Sequence, residues 1–197
     1  MPGTLQVGGN TVITHTGDAG AGTNTINNAV VFPAGHIIQI VQAVKNDVFV
    51  GANNTNEQLI TGYNCAITPH KSASKILINY SFDTSAASTL TARSYIERDI
   101  GGGGYSKLTG MMGNDGGGSA GDPSLSHAGV DIHWMMYKHA GMYLDSPSYS
   151  LGNAITYRIG IQSEASGVPV YVGTTQRDST QYHPRTASIL VLMEVSQ

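Results

Sequence analysis

Seven histidines and 13 acidic residues are the groups of this chain that could hold a metal or move protons, and their spacing decides which chemistry is open. His133 and His139 are separated by five residues, which is not the i, i+4 helical spacing of a zinc motif. On a strand, Asp131 and His133 share one face while Trp134 and Met136 share the other, so a His–Asp pair is open to them. No Gly-x-Ser-x-Gly elbow supplies a nucleophile for it, and a satisfied structural pair is the simpler reading. Gly101 to Lys107 superficially resembles a phosphate loop, but it lacks Gly-Lys-Ser/Thr and a following helix to supply amide donors. Asn114 to Asp122 carries carboxylates on a Gly-rich turn, as a calcium loop does, yet it neither repeats nor ends on a bidentate Glu. A glycosidase needs two carboxylates across a cleft, and Asp83, Glu97, Asp99 and Asp178 show no local pattern to assign. The expectation is a non-enzymatic protein with no cofactor and no metal.

Binding chemistry has a more positive basis. An exposed tyrosine can stack on the apolar face of a sugar while hydroxyls and amides bond its edges, and this chain has 10 tyrosines amid abundant Asn, Ser and Thr. Tyr105, His127, Tyr182 and His183 lie in Gly- or Pro-containing loop segments and are the candidate receptor-binding residues. Trp134 falls in a strand-like run and reads as core.

The elements that must position these residues are strands. His36 to Val44 is rich in β-branched residues and too short and too Gly/Pro-bounded for a helix. Lys75 to Phe82 places Ile76, Ile78, Tyr80 and Phe82 on one face and Asn79 and Ser81 on the other, which predicts one buried and one wet face. Ala154 to Gln162 and Ser188 to Val195 repeat that period. Further strands are expected at Thr11 to His15, Thr25 to Phe32, Gln58 to Thr68, Leu90 to Arg98, Val130 to Tyr137 and Pro169 to Gly173. Turn clusters such as Gly51 to Asn56, Asp145 to Pro147, Leu151 to Asn153 and Ala165 to Pro169 punctuate them. Many short strands with such turns predict an all-β, jelly-roll-like antiparallel β-sandwich over residues 30–197. A Gly-rich insert at about residues 100–127 reads as a long loop at an outward or partner-contacting edge. Residues 1–29, with short Val/Thr strands and Gly pairs, read as an extended N-terminal arm that docks on another subunit or particle, or else as two edge strands of the sandwich.

Composition narrows the partners. Charged residues are 12% of the chain, against roughly 25% in an ordinary soluble domain, which points to a surface partly removed by oligomerisation. A net charge of −3 without a Lys/Arg cluster argues against nucleic acid. The N-terminus lacks the flank and apolar run of a signal peptide, and no segment is apolar enough to span a bilayer, so a chain made in a cytoplasm and kept off membranes is expected. Cys65, the one cysteine, sits among apolar neighbours and reads as a small core residue.

The order Val31 to Gln42, Ile67 to Ile78, Leu144 to Pro147, Ile155 to Tyr157 and Ser188 to Val195 resembles a module of fibre and surface proteins of marine tailed bacteriophages. The resemblance spans most of residues 31–195, and the insert between Asp99 and His127 departs from its plain pattern. It implies a trimeric virion protein on the tail or capsid exterior, assembled in the host cytoplasm. The expected role is a short tail fibre or surface protein that meets host surface glycan and other virion proteins through its arm. The alternative is a capsid decoration, cement or head-fibre protein that stabilises the particle without binding a receptor.

Overall fold

The computed structural model describes residues 3–17, 22–26, 30–86, 90–113, 126–130, 135–178 and 184–197. Among these the chain is built from antiparallel strands, with one short 3-10 turn at Thr109–Met111. Strands β1 (Gly3–Val7), β2 (Asn10–Thr16) and β3 (Thr23–Ile26) form a sheet of their own. Among the described residues their strand pairing is with one another. Leu5 and Val7 of this small sheet are exposed.

Two larger sheets form a β-sandwich. In the first, β4 (Ile37–Lys45), β14 (Ser188–Val195), β7 (Lys75–Ala86) and β11 (Tyr137–Asp145) lie side by side, and β13 (Val170–Val172) and β5 (Phe49–Val50) extend it from the far end of β7. In the second, β6 (Gln58–Ile67), β12 (Ile155–Ser163) and β8 (Leu90–Ile100) are adjacent. The outer edge of β8 carries β10 (Ser126–Val130) along one half and β9 (Ser106–Lys107) along the other.

The inward faces follow from period-2 alternation. Ile76, Ile78, Tyr80 and Phe82 of β7 meet Ile155, Tyr157, Ile159 and Ile161 of β12, with Tyr63, Cys65 and Ile67 of β6 and Leu190 and Leu192 of β14 filling the space between. Each such aliphatic or aromatic side chain stabilises the fold by about 1.5–3 kcal/mol on burial. Polar ties cross the same layer. Tyr63 on β6 donates its hydroxyl to the Ile189 carbonyl of β14 at 2.8 Å, and its ring meets Phe82 edge-on. At one end, the buried Asp145 carboxylate of β11 receives Arg98 of β8 at 2.7 Å and the Tyr157 hydroxyl of β12 at 2.7 Å. Burial, and next the Asp145 charge, push the Tyr157 phenol far above its ordinary value, which keeps it a donor.

At the same end, across β7 from Asp145, the fully buried Glu194 carboxylate collects five donors. These are the backbone N–H of His70 and of Lys71 at 3.0 Å, the Ser74 hydroxyl and the Gln39 amide at 2.8 Å, and the His70 ring at 3.4 Å. The clamp secures a turn in which Ala73 is held at φ 62°, in the left-handed region that costs a side-chain-bearing residue about 1–2 kcal/mol.

Three expectations need correction. The predicted strand at Thr25 to Phe32 ends at Ile26 in β3, and residues 30–32 are irregular. The strand expected at Val130 to Tyr137 is instead the end of β10 and the start of β11, the latter running on to Asp145. The insert is not one long loop, since residues 101–113 form a turn, β9 and the 3-10 turn, and 126–130 are β10. Asp131, His133 and Trp134 lie outside the described residues, as does the Asn114 to Asp122 turn.

Candidate functional site on the outer face of the second sheet

The turn that delivers Tyr105 is set by its glycines. Gly101, Gly102 and Gly104 all have positive φ, and a side-chain-bearing residue would be strained there. Their amides are spent within the turn. Gly101 N–H bonds the Ala154 carbonyl at 2.8 Å and Gly103 N–H the Ile100 carbonyl at 3.2 Å. Gly102 and Gly104 N–H both bond the Asp99 carboxylate, at 3.0 and 2.6 Å. The turn is therefore a closed structural device, and its phosphate-loop likeness has no donors left to act with.

Tyr105 emerges from this turn 40% exposed, with the Arg158 guanidinium of β12 against one ring face, 3.4 Å from its centroid. Such a stack is worth about 0.5–1 kcal/mol at a partly exposed site. Arg158 is in turn aligned by Glu97, its register partner on β8, at 2.6 Å. Two residue pairs further along, Tyr95 lies over Gly160, its own register partner, so closely that a Cβ on Gly160 would come within 2.2 Å of the ring. Burial, then the Glu57 and Glu97 charges, raise the Tyr95 phenol well above its ordinary value. Lys107 of β9 sits over the other reach of Tyr95, 5.2 Å from the centroid, and pairs with Glu57. Beyond it Arg93 pairs with Glu164 at 2.8 Å, and Gln162 donates to the Thr55 carbonyl at 2.9 Å.

This face therefore combines an open aromatic ring with three cation–carboxylate pairs that cancel in charge. With the Asp99 carboxylate taken up by the glycine amides of the turn, it offers a stacking plane and hydrogen bonds with little excess of either charge, which suits a neutral polyhydroxylated ligand better than a polyanion. His127 of β10 is the backbone partner of Arg93, on the same edge of β8 that carries β9. Arg93 and Glu97 are four residues apart, so His127 of β10 and Lys107 of β9 join this edge about 13 Å from each other, with Tyr105 two residues beyond Lys107. Tyr182 and His183 lie outside the described residues.

The supporting residues Tyr95, Glu97 and Arg158 were not singled out for this role from sequence. Arg158 and Glu97 do fall at outward positions of alternating strands, but their pairing is a matter of register across 61 residues of chain. The four acids weighed as a glycosidase pair have separate partners: Asp83 pairs with Lys138, Glu97 with Arg158, and Asp178 with Arg185, while Asp99 closes the glycine turn. Among the described residues no group of three His, Cys, Asp or Glu converges as a metal site. Two open depressions flank the Glu194 clamp. The larger, about 500 Å³, is lined by Gln39, Thr68, His70 and Leu151 among others; the smaller, about 220 Å³, lies between Phe32, Lys71, Ser74 and the C-terminal residues.

No protein-family model matches this chain, and no curated protein sequence is significantly similar to it.

Proposed function

We propose that this chain is a non-enzymatic structural protein of a tailed-phage virion, a short tail fibre or surface protein that assembles as a homotrimer and presents the outer face of its second sheet to host surface glycan. The observation that carries the reading is strand order. Counting only β4, β6, β7, β8, β10, β11, β12 and β14, one sheet reads first, eighth, third, sixth and the other second, seventh, fourth, fifth. This order supports reading the sandwich as a jelly roll, an architecture used by viral capsid and lectin domains.

Fold alone does not carry function. The resemblance of the ordered motifs to phage fibre modules and the low content of charged residues support the assembly, and the aromatic face at Tyr105 supports the ligand class. Repetition of a weak site by symmetry would supply avidity. The small β1–β3 sheet, with Leu5 and Val7 exposed and no strand pairing to the sandwich, supports attachment to another virion protein. The same feature favours the second reading, a capsid decoration or head-fibre protein tied down through its arm.

Antibody labelling of intact particles tests both. Signal at the tail, with adsorption lost in Tyr105→Ala particles, supports the fibre; signal spread over the head, with adsorption intact, replaces it by the decoration reading. Particles that carry no signal would refute both.

A further inference from the structure

We infer that the outer face of the first sheet is the surface on which copies of this chain pack against one another. The inference rests on the reading of the chain as an assembling structural protein and names the surface that does it.

The face is apolar across four strands. In register, one row runs Ile40, Met193, Leu77, Leu144 from β4 through β14 and β7 to β11. The next runs Gln42, Val191, Asn79, Met142, and the third Val44, Ile189, Ser81, Ala140. Ile40 is 59% exposed and Met142 66%, and Val44, Leu144 and Ile189 are also exposed. The wet face expected of β7 from Asn79 and Ser81 is thus a polar stripe inside an apolar field.

Strand β11 makes the case sharpest, because its polarity is inverted. His139 and Asp145 are buried while Ala140, Met142 and Leu144 face out. The inward polar groups are individually satisfied: His139 stacks on Phe82 at 4.7 Å and bonds Thr84 at 2.7 Å, and Asp145 is held by Arg98 and Tyr157. Gly141 leaves room for Tyr80, whose hydroxyl a Cβ would meet at 2.7 Å and whose ring at 2.9 Å. A strand arranged this way places its hydrophobic side in water unless something covers it.

A second copy fits the face best. None of the twelve residues in the three rows is charged, so two such faces meet without repulsion and without burying an unpaired ion. Charge appears only at the rim, where Lys138 pairs with Asp83 at 3.1 Å at one end and Lys75 lies at the other. An apolar centre with a polar rim is the anatomy of a protein interface. The exposed side chains present on the order of 600 Å² of apolar surface, the upper end of what a monomer leaves open. Two copies would bury about twice that, the lower bound of a standard interface. The outer face of the second sheet, with its three ion pairs, shows what a solvent face of this same fold looks like.

The test is the mass of the full-length chain in solution, by light scattering and sedimentation over the micromolar range, for the unmodified protein and for Ile40→Glu and Met142→Glu. Both side chains are more than half exposed in the single chain, so each variant should fold and melt near the parent temperature. Each is expected to weaken association roughly a hundredfold, since a carboxylate repeated by symmetry enters an apolar contact. Tyr105→Glu, on the opposite sheet, should leave the mass unchanged. A parent chain that stays monomeric overturns the inference, whether the face is then covered by the chain's own β1–β3 sheet or by another protein. Folded glutamate variants that remain assembled overturn it too. An assembly of two copies dispersed by the variants would uphold the face and refute the trimer. Particle labelling reports separately on the virion reading.

Discussion

Glu194 gives the most direct test of how the sandwich is held together. Its carboxylate is buried and receives donors from four residues of two segments, Gln39 on one side and His70, Lys71 and Ser74 on the other. Burial pushes this carboxyl up, but the hydrogen bonds from His70 N–H, Gln39, Ser74 and Lys71 N–H together outweigh it and hold the group below the usual glutamate value. Glu194→Gln keeps the shape, removes the charge and turns an NH₂ toward groups that are themselves donors. With two charge-assisted bonds lost at about 1.5–3 kcal/mol each and part of that recovered by rotation, the expected cost is about 3 kcal/mol. For a chain of this length that lowers the melting temperature by about 10 °C.

The pH dependence carries a definite sign. A carboxyl depressed in the folded state contributes stability that is fully present above the unfolded value, about 4.3, and is lost as pH falls through the folded value. The gap between parent and variant in thermal melts should be widest at pH 7 and should close below about pH 4. A variant melting within about 2 °C of the parent at pH 7 would refute the clamp. A gap that stays constant into acid would show that lost packing, and not the charge, accounts for the cost.

Other changes probe other ties. Gly160→Ala should cost about 1–3 kcal/mol by driving a methyl into the Tyr95 ring, and a double-mutant cycle with Tyr95→Ala, read by denaturant melts, should recover much of it. Asp145→Ala leaves Arg98 and the Tyr157 hydroxyl without their shared acceptor, and urea unfolding should register a loss of about 3 kcal/mol. Ala73→Gly relieves the left-handed backbone at φ 62°, and after the entropic cost of glycine a net gain of about 0.5 kcal/mol in melting experiments is expected. Cys65 is buried and burial raises its thiol, so alkylation should proceed only as fast as the chain opens; rapid labelling of the native protein would contradict that placement.

What was legible in the sequence was whatever obeyed the simplest two-residue period. β7 and β12 put Ile76, Ile78, Tyr80 and Phe82, and Ile155, Tyr157, Ile159 and Ile161, inside, as their spacing predicts. β14 shares the period but carries apolar residues on both faces and buries Glu194, so spacing alone does not say which face turns inward. β11 also has the period, but with inverted sign, so a search for buried hydrophobic alternation passes over Lys138 to Leu144. The polar residues it buries are met by Phe82, Thr84, Arg98 and Tyr157, which lie on other strands, 12 to 57 residues away in sequence. The insert misled for a related reason. Its four glycines signal conformational freedom, while the Asp99 carboxylate that removes that freedom is an ordinary-looking acid just upstream. Tyr105 was visible as an aromatic beside glycines; the Arg158 and Glu97 that orient it were not, because cross-strand register decides their meeting.

The two outer faces of the sandwich draw on the same alternation and reach opposite results. On the second sheet, outward positions of β8, β9 and β12 hold Glu97, Lys107 and Arg158, whose charges are matched across strands and whose surface ion pairs contribute little to stability. Such residues keep a face soluble. On the first sheet, outward positions of β4, β14 and β11 hold Ile40, Met193 and Leu144, which gain nothing from water and cost solubility unless covered. If both faces were solvent faces, that contrast within one small domain would have no physical purpose. An assembly that turns its first sheets inward and its second sheets outward accounts for it, and it would display Tyr105 at the periphery, repeated once per copy. Disrupting the inner face should then weaken surface adsorption more than it weakens the intrinsic affinity of one site, because the loss would be one of multiplicity.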